Sequence, residues 1–203
     1  MKFNQLVGKT APEYKQKPKS RVCPDQYVGL LSQVIEQPSF PSHAVATSKF
    51  RPPCLILVLE SPHIQEFIGI PGPARGHTGA MIRQHLQAAI KISDPMNVGL
   101  ILINAIQYQC SLGDITSYRD KIFRAARNSC GQKDFTHRLL ATYRAGDILM
   151  NCCTKGNDSN THGPLRNLVE ATMRSALPKV QSIKRTHPSS WQYVKNRGKE
   201  WSY

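Results

Sequence analysis

Residues 54–66 read CLILVLESPHIQE: six apolar residues in a row, then a carboxylate, a serine and a proline. An unbroken apolar run of that length suits a strand buried on both faces; a strand with one wet face would alternate. Similar runs recur at residues 98–103 (VGLILI), 147–153 (DILMNCC) and 180–184 (VQSIK). The stretches between them carry helical spacing. Met81, Ile82, Leu86 and Ile90 share a face in 79–92, Ile122 and Phe123 in 117–130, and segments 136–143 and 165–177 are amphipathic too. Strands alternating with helices predict an α/β fold: a single-domain three-layer sandwich with a central four-stranded parallel sheet flanked by helices.

The remaining segments frame this unit. The length of 203 residues suits one domain. Tyr27, Leu30, Leu31 and Val34 predict a helix over residues 26–36, and a Pro- and Ser-rich loop follows over 37–53. Residues 1–25 read as a basic arm, broken by Pro12, Pro18 and Pro24. Its Lys9, Lys15, Lys17, Lys19 and Arg21 either contact phosphates or form a solvated face. Residues 192–203 read as a C-terminal tail.

Composition narrows the function classes. The formal net charge is +14, from 27 Lys+Arg against 13 Asp+Glu, so the surface field suits a polyanion, with nucleic acid ahead of an anionic membrane surface. No apolar run approaches the roughly 18 residues of a membrane span, and residues 1–16 lack the apolar core of a secretory signal. A soluble, cytoplasmic monomer is expected. The six cysteines (Cys23, Cys54, Cys110, Cys130, Cys152, Cys153) include no C-x-x-C pair, and several sit in apolar runs, so free thiols are expected and no metal site.

In open α/β sheets, ligands bind beyond the carboxyl ends of the strands. Glu60, Ser61, Pro62 and His63 follow the first run, Asn104 follows the second, Asn151 to Lys155 come at the end of the third, and His187, Pro188 and Ser189 follow the fourth. Singly, each has a plain structural role open to it: a cap, a turn or a packed histidine. A carboxylate, an amide and an imidazole at matching places predict a site. Residues 69–79 (GIPGPARGHTG) add a Gly/Pro-rich approach to a helix N-terminus, with Arg75, Gly76 and His77, where backbone can come close to an anion.

Taken together, these residues resemble the motifs of the uracil-DNA glycosylase superfamily. Its thermophilic branch opens with G-E-A-P-G-x-x-E, similar to Leu59-Glu60-Ser61-Pro62-His63-Ile64-Gln65-Glu66 here. A Gly-rich segment before a helix, a strand ending in Asn104, and His187-Pro188-Ser189 follow in the same order, so the resemblance spans residues 54–191. It implies a uracil-DNA glycosylase-like fold and a monofunctional DNA glycosylase. Glu60 would position water, Asn104 would bond the flipped base, and His187 would stabilise the departing base. Ser61, Pro62 and Ser189 would lie against the DNA backbone, and His63 and Asn151 would line the substrate site. The implied partner is double-stranded DNA with its target base flipped out, and no cofactor is required.

The departures carry information. Leu59 replaces the leading Gly. The family's stacking aromatic falls where this chain has Ala74-Arg75-Gly76, which implies a roomier pocket or a base held by Arg75 or His77. Cys110 and Cys130 lie near two iron–sulfur ligand places of the thermophilic branch, but the N-terminal pair is missing, so no cluster is expected. A superfamily member that defends against phages with glucosylated hydroxymethylcytosine is similar in size and open loop. That implies a bulky modified cytosine as substrate and a role in antiviral defence. The alternatives are uracil excision in DNA repair, a non-catalytic nucleic-acid-binding module, and a metal-dependent nuclease. The last needs clustered carboxylates; Glu60 and Glu66 are the only pair near the expected site, and Asp147 begins its strand, at the wrong end.

Overall fold

The computed structural model describes residues 2–14, 18–40, 51–111 and 117–202. Lys15 and Lys17 of the basic arm lie outside these residues. The elements run α1 (Phe3–Thr10), β1 (Gln26–Leu30), α2 (Leu31–Glu36), β2 (Cys54–Leu59), α3 (His77–Ala89), β3 (Gly99–Asn104), α4 (Ser117–Ala126), α5 (Gln132–Thr142), β4 (Ile148–Asn151), α6 (Ser159–His162), α7 (Leu165–Ala176) and β5 (Ile183–Lys184).

The four apolar runs become β2 to β5. They pair in parallel, with β3 and β4 on either side of β2 and β5 outside β4. The sheet has a fifth strand that sequence reading missed: β1 pairs antiparallel with β3, giving the order β1-β3-β2-β4-β5. The sheet is therefore mixed and five-stranded, in place of the expected four-stranded all-parallel sheet.

Alternation along the buried strands builds two cores. Ile56, Val58, Ile101, Ile103 and Leu149 face one side and pack with Leu6 and Val7 of α1, Ile122 and Phe123 of α4, Phe135 and Leu139 of α5, and Val169 of α7. Leu55, Leu57, Leu59, Leu100, Leu102 and Met150 face the other, against Leu31 and Val34 of α2, Ile82 and Leu86 of α3, and Trp191. Each such side chain, once buried, contributes about 1.5–3 kcal/mol, and burial on both faces is what the unbroken apolar runs encode.

Three expectations need correction. Residues 26–36 are not one helix. Gly29, at φ +116°, makes a bulge in β1 and the chain turns helical only at Leu31. The helical spacing of Tyr27, Leu30, Leu31 and Val34 joins two elements, and pairing with β3 outweighs it. The described residues of the basic arm pack on the fold: α1 lies on α4 with Leu6, Val7 and Ala11 buried, and Arg138 holds Asp25 at 2.7 Å. Residues 192–203 fold back as well. Trp201 is buried and donates to the Arg185 carbonyl, and Arg197 donates to the Trp191 carbonyl.

At the sheet end away from the candidate site, Asp147 accepts from the Arg51 guanidinium at 2.8 Å and from the Cys54 and Arg144 backbone amides. Of the cysteines, Cys130 alone is exposed; all six are free. No helix among the described residues is long and apolar enough to cross a membrane.

Candidate functional site

The chain leaves β2 towards β3 on one side and leaves β4 towards β5 on the other. A parallel sheet opens a crevice at such a reversal, beyond the strand carboxyl ends. A cleft of about 320 Å³ lies at that edge, lined by residues that include Glu60, Ser61, His63, Gln65, Glu66, Gly76, His77, Arg119, His187 and Ser189. Most of the residues expected from sequence come together here.

Glu60 is 7% exposed, and its Oε2 stands 3.4 Å from His187 Nε2. That oxygen has no aligned hydrogen-bond donor among the described residues, so it can accept from a bound molecule. His187 is held by its own turn: the Ser189 amide donates to Nδ1 at 3.3 Å, and Ser189 Oγ lies 2.8 Å from the same nitrogen. A backbone N–H can only donate, so Nδ1 accepts and the imidazole proton sits on Nε2, the nitrogen near Glu60, without an aligned hydrogen bond to it. Burial pushes the imidazole below its ordinary pKa; Glu60 opposes this, and Arg119 and His77 add to it. The ring is thus a neutral hydrogen-bond donor near pH 7.

The turn that carries His187 is fixed from both sides. Trp191 Nε1 donates to the Thr186 carbonyl, and the turn packs on α3, where His77 Nε2 lies 3.3 Å from the Ser189 carbonyl oxygen. His77 thereby joins the helix N-terminus to the histidine turn.

Asn104 is placed differently from expectation. It is 1% exposed and is not among the residues lining the cleft; its Nδ2 donates to Glu66 Oε2 at 3.4 Å and to Cys23 Sγ at 3.7 Å. The cleft wall is formed by Glu66, and Asn104 stands behind it. Burial pushes the Glu66 carboxyl up to about 8, against the pull of Asn104 and the backbone of His63 and Ala74. Below that pH, Glu66 is a neutral carboxyl in the cleft wall, with its Oε2 accepting from Asn104 and Cys23. Its motif position was legible, but its burial was not.

Asn151 is committed elsewhere. Its amide donates to Glu170 at 3.0 Å and to the Arg166 carbonyl, and its Oδ1 accepts from the Cys153 amide. It ties β4 to α7 and does not line the cleft. Arg75 turns back to the carbonyls of Ile68 and Ile70, and Pro62 is buried beneath the wall.

Arg119 is the residue that sequence reading missed. It sits in the first turn of α4, donates to Asp120 at 3.0 Å and brings a guanidinium to the cleft. In sequence it looks like half of a surface ion pair. No Phe, Tyr or Trp side chain lines the cleft among the described residues, and no three His, Cys, Asp or Glu side chains among them gather as a metal would require. No protein-family model, curated protein or solved structure matches this chain.

Proposed function

We propose that the protein is a monofunctional DNA glycosylase that hydrolyses the N-glycosidic bond of a flipped base and leaves an abasic site. The observation that carries this reading is the facing pair of Glu60 and neutral His187 in one cleft. Breaking the bond between C1′ and the base nitrogen sends the electron pair with the base. The sugar becomes cationic and the base anionic. The Glu60 carboxylate stabilises the first charge and takes a proton from the water that attacks C1′. The His187 Nε2–H, which faces Glu60 in the free protein, donates to the second, a fixed dipole of the kind worth about 3–4 kcal/mol. Glu66, neutral below about pH 8, would offer its O–H to the base edge.

Duplex DNA is the proposed partner, bound by a monomer. The charge of +14 favours phosphate contacts, and Arg119 brings one cation into the cleft itself. We favour a bulky modified cytosine over uracil as substrate, with a role in defence against phage DNA. Its support is that no Phe, Tyr or Trp side chain among the described residues lines the cleft to press on a small base.

The test is excision. Duplexes containing uracil, hydroxymethylcytosine or glucosylated hydroxymethylcytosine are incubated with the protein and assayed for abasic sites. The expected result is abasic sites on the glucosylated substrate, lost about 10²–10³-fold in His187→Ala and comparably in Glu60→Gln. Excision of uracil alone would move the role to DNA repair. No abasic sites on any duplex would refute the catalytic reading and leave a nucleic-acid-binding module.

A further inference from the structure

Both Glu66 and Gly76 line the cleft, and the chain that joins them, residues 67–75, borders it as a rim outside the lining itself. The rim is a closed loop: the Gly72 amide donates to the Glu66 carbonyl at 3.0 Å, and Gly69, at φ +68°, turns the tip. Two guanidiniums hold the tip. Arg21 donates to the carbonyls of Phe67 at 2.8 Å and Gly69 at 3.4 Å, and Arg75 donates to those of Ile68 at 3.3 Å and Ile70. Four successive carbonyls are thus bound from two cations. The held loop leaves Ile68 and Ile70 72% and 67% exposed. Two neighbouring large apolar side chains on a firmly held loop offer a small apolar surface to an occupant.

We propose that Ile68 and Ile70 form a wedge that enters the base stack of duplex DNA beside the nucleotide received by the cleft. The inference rests on the DNA-glycosylase reading and names the part of the chain that opens the duplex. Three features select this occupant. Isoleucine is among the side chains that unstack base steps, and its β-branch keeps it stiff at χ1. Arg21 and Arg75 place positive charge at the root of the tip, where phosphates flank an opened step. The loop leads directly into the cleft wall on both sides, so an opened step and an extruded base would lie next to each other.

The test uses the full chain with Ile68→Ala and Ile70→Ala combined, both exposed and outside the catalytic pair. Excision is measured on one modified sequence as duplex and as single strand. A wedge predicts a loss of kcat/KM of about tenfold or more on the duplex and under about twofold on the single strand, which needs no opening. An equal loss on both, or no loss on either, overturns the proposal. Should the wild-type protein excise no base, the catalytic reading falls by itself, and the wedge is then judged on a duplex containing 2-aminopurine. Fluorescence that rises with wild type and not with the double variant supports the wedge. No rise at saturating wild-type protein overturns it, and the face would then belong to a protein or a membrane surface.

Discussion

Replacing Glu66 by Gln should change how stability depends on pH. In the folded chain Glu66 keeps its proton up to about pH 8, because burial penalises the carboxylate. The unfolded chain gives that proton up near the ordinary value of 4.5. Between these two values the folded state binds more protons than the unfolded one, so stability falls as pH rises. The contribution is complete below about 4.5 and lost above about 8. At about 1.4 kcal/mol for each pH unit, the full window is worth about 5 kcal/mol. Gln keeps the shape and accepts from Asn104, but it does not titrate. The assay is urea unfolding of both proteins from pH 5 to pH 9. The wild type's stability, taken relative to Glu66→Gln, should fall by about 4 kcal/mol between pH 5 and 8 and then level off. A difference that stays constant across this range would refute the reasoning and place the carboxyl at its ordinary value.

Two other perturbations test the frame around the site. Asp147→Ala leaves Arg51 buried without its partner and frees two backbone amides; a loss of about 3–5 kcal/mol in urea unfolding is expected. Because Asp147 lies at the far end of the sheet, excision per folded molecule should be unchanged. Gly79→Ala would bring a methyl group against the Ala74 carbonyl, and backbone cannot give way as a flexible side chain can. A cost of about 1–3 kcal/mol, read by thermal unfolding, is expected.

Sequence reading recovered the parts of the fold whose signal is simple. The runs around Leu57, Ile101 and Met150 are apolar because both of their faces are covered, and one-dimensional pattern records that directly. The segment at 26–36 misled because Tyr27 and Val34 belong to different elements that share one helical spacing by coincidence; the useful signal was Gly29 in the middle. For the site, Glu60 and His187 were legible because strand ends announce them. Asn104 was legible as a strand end, but whether its amide reaches the cleft depends on Glu66, which folds across it. Arg119 carries no local mark, since its role comes only from where α4 packs.

The strand pairing also decides when the cleft can exist. β1 pairs with β3, and β2 needs both β3 and β4 beside it, so little of the sheet can close on local contacts. Contacts of such long sequence separation slow folding. During synthesis the Glu60 side of the cleft is made early, whereas His187 follows the last strand of the sheet. A partly made chain therefore holds a carboxylate with no imidazole opposite it. Glu60 and His187 come to face each other only when β5 docks, so on the proposed reading excision would report that the sheet is complete.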